Sequence, residues 1–194
     1  MKKTIVSLMV VSSLFCGAAM AAPSENDSSS AVLNFSGRVT SSLCQVDTNF
    51  AEQTIELGEL SASALNATGA GRAKTFTVGL INCDASTDSL TYTISDAYTG
   101  GTATADYLNP YNDDSSAKGV GVYIASANGD TPVQIGQEYA VAVVKDDEGN
   151  ALSSQSIALT ANIKKSGTNN NTVEPGSVTA KGVITIKATA AQSV

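Results

Sequence analysis

The chain has 194 residues, 11 Lys and Arg against 18 Asp and Glu, no histidine, no tryptophan and a formal net charge of −7. That acidic balance argues against nucleic acid and anionic membrane as partners. The lack of histidine removes the commonest general base and triad member from any catalytic reading.

Residues 1–21, MKKTIVSLMVVSSLFCGAAMA, have the form of an export leader: basic Lys2 and Lys3, an apolar run from Ile5 to Phe15, and the small-x-small set Ala19-Met20-Ala21. The apolar run is too short to cross a bilayer as a helix. A lipoprotein cut before Cys16 wants a small residue at the preceding position, and Phe15 is not small. Cleavage after Ala21 removes Lys2, Lys3 and Cys16 and takes the net charge from −7 to −9. Cys44 and Cys83 remain. In an exported chain, such a pair implies one disulfide, with two free buried thiols as the alternative. Closing a loop of about 40 residues stabilises by about 4 kcal/mol on the chain-entropy model.

Residues 22–30, APSENDSSS, are polar and predict no structure of their own. Short runs rich in Val, Ile, Thr and Tyr follow, most of them alternating with period two. They predict strands at 32–46, 53–60, 74–83, 90–96, 119–125, 132–135, 139–145, 156–164 and 182–189. In the first of these, Ala31, Leu33 and Phe35 share one face; in the last, Ile184, Ile186 and Ala188 do. Asn128-Gly129-Asp130 predicts a tight hairpin, because asparagine and glycine accept the positive φ it needs. Residues 146–150 predict another turn, 166–176 a longer polar loop, and 61–72 an irregular stretch with one helical turn. A domain of this length can bury a core without further staples. Many short antiparallel strands at this spacing predict an all-β, immunoglobulin-like sandwich, although the tryptophan and cysteine spacing of antibody domains are absent.

Candidate chemistry is sparse. Asp113-Asp114 and Asp146-Asp147-Glu148 could form a weak calcium loop, since hard cations want several carboxylate oxygens, but solvated turns account for them better. Residues 69–75, GAGRAKT, miss the spacing of a phosphate loop. Asn66-Ala67-Thr68 fits a glycosylation triplet, which the bacterial type of leader discounts. No catalytic residue, metal or cofactor is expected, and the chain is not expected to be an enzyme.

An ordered set of short motifs is more informative. Phe35-Ser36-Gly37-Arg38-Val39 with Cys44-Gln45-Val46, Gln53-Thr54-Ile55-Glu56-Leu57-Gly58, Phe76-Thr77-Val78-Gly79-Leu80 with Cys83-Asp84, Gly119-Val120-Gly121-Val122, and Pro175-Gly176 followed by residues 182–187 recur in this order. The set resembles the structural subunits of chaperone–usher fimbriae, close to type 1 shaft subunits.

The resemblance implies an incomplete immunoglobulin-like sandwich, a six-stranded pilin fold lacking its last strand. It implies a signal peptide at 1–21, a donor-strand extension at 22–36 and the pilin domain at 37–194. Ser29, Ala31, Leu33 and Phe35 would be donor residues, and Ile184, Ile186 and Ala188 would line the groove that receives a chaperone's or a neighbour's strand. Ala31 stands where the family usually has a small residue, often glycine, and Ala188 where it usually has tyrosine, with six further residues beyond. The implied partners are a periplasmic pilus chaperone, an outer-membrane usher and neighbouring fimbrial subunits, with no nucleic acid and no small-molecule cofactor. The implied location is a fimbrium on the bacterial surface, reached through the periplasm. The implied function is a structural subunit supporting cell adhesion, the alternative being a minor, adaptor or adhesive subunit that binds a host receptor.

Overall fold

A computed structural model describes residues 31, 32, 34, 35, 43–99, 105–167 and 172–191. The chain divides into two units, Met1–Val39 and Thr40–Val194. In the first, Ala31, Val32, Asn34 and Phe35 belong to no ladder, and Val32 and Phe35 are 87% and 90% exposed. The leader, residues 22–30, the donor positions Ser29 and Leu33, and residues 36–42 of the predicted first strand lie outside the described residues.

The described part of the second unit contains eight strands: β1 Gln45–Val46, β2 Lys74–Ile81, β3 Thr87–Asp96, β4 Val120–Ser126, β5 Pro132–Val133, β6 Glu138–Val141, β7 Gln155–Lys165 and β8 Gly182–Ala190. They form one sheet in the order β1-β2-β7-β4-β5 and a second in the order β6-β3-β8, and every ladder between them is antiparallel. Alternation decides which side chains enter the space between the sheets. From β3 these are Leu90, Tyr92 and Ile94, from β2 Val78 and Leu80, and from β7 Ile157, Leu159 and Ala161, all in one core with Val122, Ile124, Val133 and Ile135.

The disulfide joins Cys44 to Cys83. It ties the residue before β1 to the turn after β2. That anchor matters because β1 contributes only two ladder pairs, Gln45 with Ile81 and Val46 with Leu80. Asn82, in the left-handed region at φ 52°, turns the chain out of β2 just before the second cysteine. The predicted hairpin joins β4 to β5, with Gly129 at φ 79°. The predicted helical turn is the helix α1, Ala62–Thr68. Ser61 Oγ caps its start by accepting from the Ala64 N–H at 3.2 Å, and Gly69 at φ 76° ends it. Gly69 is therefore a helix cap, not part of a phosphate cradle.

Three predicted strands are corrected. Of the first, 32–46, only Gln45–Val46 is strand among the described residues. Residues 53–60 form no ladder. Phe50, from the 3₁₀ turn Thr48–Phe50, sits on Gly79, where an added Cβ would lie 2.8 Å from its ring. Gln53 Nε2 donates to the Thr77 carbonyl at 3.0 Å, which occupies a β2 acceptor with a side chain. Gly58 then turns through φ 79°. The strand predicted at 139–145 stops at Val141, because the side chain of buried Gln155 takes over the backbone of Val144. Its Oε1 accepts from the Val144 N–H at 2.9 Å and its Nε2 donates to the Val144 carbonyl at 2.8 Å.

Candidate functional site

β8 pairs with β3 along one edge, from Ala190 opposite Thr87 to Gly182 opposite Asp96. It ends the order of the second sheet, and its other edge carries no ladder among the described residues. In an antiparallel strand, alternate N–H and C=O groups point to each side, so half of the β8 main-chain groups are directed away from β3. Ile184, Ile186 and Ala188 face the core yet remain only half-buried, although they occupy the inward positions of a strand over a well-packed core. Val183, Thr185 and Lys187 face outward, and Lys187 Nζ meets Glu138 Oε2 at 2.7 Å across β3.

Beside the start of β8, at Gly182–Ile184, lies an open groove of 1470 Å³. Its floor is the core itself: Phe76 and Val78 of β2, Val122 and Ile124 of β4, and Ala161 and Ile163 of β7. One wall is the ladder-free segment 53–60, and the other is residues 173–184, including Ile184. Ile186 and Ala188 continue the same β8 face beyond it. An apolar trough of this size, next to an unpaired strand edge, is the arrangement that soluble proteins ordinarily cover.

Each wall is fixed by a glycine contact. Leu60 seats on Gly71, where an added Cβ would lie 2.4 Å from its side chain. Gly176 is closer still to main chain: its Cβ would lie 2.3 Å from Ala117 N, 2.4 Å from Ser116 C and 2.7 Å from Ser115 O. Around it the Ala117 N–H donates to the Ser177 carbonyl and the Ser177 N–H to the Ser115 carbonyl, both at 2.8 Å. This contact sets the approach of the chain into β8.

One end of the groove is organised by Asp96, which is 3% exposed. Its carboxylate accepts from the N–H groups of Tyr98 (2.8 Å), Thr99 (3.3 Å) and Asn109 (2.8 Å) and from Asn109 Nδ2 (3.1 Å). Burial alone would raise its pKa, but these donors outweigh it and hold the carboxyl below its ordinary value. The result is a fixed pair of loops that carries Tyr98 and Leu108 into the groove lining. Neither Asp96 nor Leu108 stood out in the sequence. The available signal was an acid at an inward position of an alternating strand.

The acidic clusters serve their own turns. Asp113 Oδ1 accepts from Ser116 Oγ and Ser115 Oγ, both at 2.8 Å, and from the Ser115 N–H at 2.9 Å. Asp146 Oδ1 accepts from the N–H groups of Asn150 and Glu148 at 2.8 and 3.0 Å. Both carboxyls are held below their ordinary pKa, Asp113 first by the Ser116 hydroxyl and Asp146 first by the Asn150 N–H. Their oxygens thus stabilise local turns.

Fold and groove together define a class: an immunoglobulin-like sandwich of pilin type, left open along one strand edge. The family described as Fimbrial protein matches residues 33–188, and the chain belongs to it. It is 52% identical over 190 residues to Fimbrial protein 987P of Escherichia coli, covering 96% of each chain. It is 33% identical over 85 residues to the type-1 fimbrial protein C chain of Escherichia coli, which is 43% of this chain and 47% of that one. Among solved structures, a chain of a chaperone–usher pilus superposes with a TM-score of 0.60 at 23% identity, over 87% of this chain and all of the other. The P pilus rod subunit PapA gives a TM-score of 0.60 at 20% identity, over 76% of this chain and all of that one. At these identities the two structures share the fold with this chain.

Proposed function

We propose that this chain is a structural subunit of a surface fimbria, assembled through a periplasmic chaperone and an outer-membrane usher by donor-strand complementation. The domain 37–194 provides the acceptor groove, residues 22–36 provide the donor arm of the next subunit, and residues 1–21 are the leader removed on export. The single observation that carries this reading is the groove of 1470 Å³ lying against the start of β8, at Gly182–Ile184, where the strand's other edge is unpaired among the described residues. A strand laid there satisfies the outward main-chain groups of β8 and covers Ile184, Ile186 and Ala188. The arm residues Ser29, Ala31, Leu33 and Phe35 recur every second position, the spacing of one strand face. Fully burying Leu33 and Phe35 contributes about 1.5–3 kcal/mol each. Arm and groove are different surfaces of one chain, so the contact is heterologous and propagates instead of closing. No bond is made or broken, and no cofactor takes part.

The test is Phe35→Asp in cells that supply the chaperone and usher. The expected result is soluble subunit of normal yield and a loss of fibres in electron micrographs. Fibres of normal number and length would overturn the donor role of Phe35.

A further inference from the structure

The two ends of the sandwich carry different exposed apolar faces. At one end, where β3 stops at Asp96 and β8 starts at Gly182, Tyr98 and Tyr111 form a ring pair with centroids 5.4 Å apart, tilted by 53°. They are 45% and 52% exposed and border a shallow hollow of 660 Å³ with Pro110. Tyr98 also lines the groove and so borders both it and the hollow. At the other end lies the disulfide. There the Cys83 N–H donates to the Ser153 carbonyl, the Ala151 N–H to the Ala85 carbonyl and the Leu152 N–H to the Val144 carbonyl. Val144 and Leu152 are 55% and 42% exposed beside it. Isolated exposed apolar residues are ordinary; a pair at each end of one sandwich requires a partner geometry to acquire meaning.

We propose that in the fibre the Tyr98–Tyr111 face of one copy seats the Val144–Leu152 face of the next. This rests on the donor-strand reading above. Every ladder between named strands is antiparallel, and an arm continuing that pattern runs antiparallel to β8. Its C-terminal end then emerges beside Gly182, at the Tyr98–Tyr111 end. Eight residues separate Phe35 from Cys44, a span of at most about 30 Å when extended. Cys44 is fixed at the disulfide end of the next copy, so that end is tethered within reach of the tyrosine pair. A parallel arm would emerge at the opposite end of β8, beside Thr87 and the acceptor's own disulfide end, and would bring the two disulfide ends together while leaving the Tyr98–Tyr111 face bare. The occupant is therefore a second copy of this chain, with opposite ends in contact, and the contact is heterologous.

The test uses full-length chains secreted into fibres and a short bis-maleimide, which does not react with the oxidised Cys44–Cys83 pair. Tyr111→Cys with Leu152→Cys on one chain is expected to give a ladder of covalent multimers on reducing, denaturing gels, while each single variant gives monomer only. Pro110→Cys with Val144→Cys is a second pair at the same two faces and is expected to give the same ladder. Fibres that form normally yet give no ladder with either pair would overturn the end-to-end contact while leaving strand donation intact. Dimers from Tyr111→Cys alone would overturn it too, by showing that the face meets itself. Failure of strand donation has a separate signature, normal fibres from Phe35→Asp.

Discussion

Gly176→Ala is a severe test of how the groove wall is built. One methyl is added, and its ideal position overlaps three main-chain atoms, at 2.3, 2.4 and 2.7 Å, none of them the end of a flexible side chain. Ordinary contact requires roughly an ångström more, so either residues 173–177 or residues 115–117 must withdraw. Overpacking of this kind costs about 1–3 kcal/mol. Withdrawal also stretches the two hydrogen bonds at 2.8 Å between Ser177 and residues 115 and 117, worth about 0.5–1.5 kcal/mol each. A loss of about 2–5 kcal/mol is expected in urea unfolding of the mature chain complemented by a peptide of residues 27–38. Gly58→Ala supplies the contrast. Gly58 has φ 79° and open space around it, so only backbone strain of about 1–2 kcal/mol applies. Equal, small losses for both variants would refute the idea that main-chain packing at Gly176 fixes the wall.

Replacing Cys44 and Cys83 together with serine removes a crosslink between residues 39 apart; urea unfolding is expected to show a loss of about 4 kcal/mol, and exchange at Gln45 and Val46 should rise first, since β1 has little else to hold it. Asp96→Asn keeps the shape but sets an amide NH₂ against two of the four N–H donors, at a cost of about 1–3 kcal/mol for the unsatisfied groups. The Asp96 pKa is lower folded than unfolded, so its contribution is present above the unfolded value of about 3.9 and is lost as pH falls through the folded value. Unfolding measured from pH 7 downward should therefore show a steeper decline below pH 4 for the parent than for Asp96→Asn, and parallel curves would contradict this. Gly79→Val should displace Phe50 and lower stability by about 1–3 kcal/mol, read as a shift in the urea midpoint with the slope unchanged.

Much of the fold was legible because alternation is a local signal. TYTIS at 91–95 declares its inward Tyr92 and Ile94 without help from the rest of the chain. The errors arose where a remote side chain replaced a main-chain partner. Gln53 reaches Thr77 and Gln155 reaches Val144, so residues 53–60 form no ladder and the strand expected at 139–145 ends at Val141, and no local pattern foretells that. Ile184, Ile186 and Ala188 were visible as a strand face, of which Ile184 lines the groove. The elements that shape the groove were not, because Gly176 against residues 115–117 and Asp96 against Asn109 are contacts between distant segments that the topology alone brings together.

The most direct measurement is amide hydrogen exchange along β8 in the Phe35→Asp chain, which cannot donate its own arm but keeps its groove. With no peptide added, the alternate β8 amides that point away from β3 should exchange at least about tenfold faster than those paired to it, since an unpaired edge offers little protection. Adding the peptide of residues 27–38 should slow those same amides and leave the β3-facing set nearly unchanged. If both sets are equally protected before the peptide arrives, or the peptide changes neither, the free edge of β8 is not where a donor strand binds.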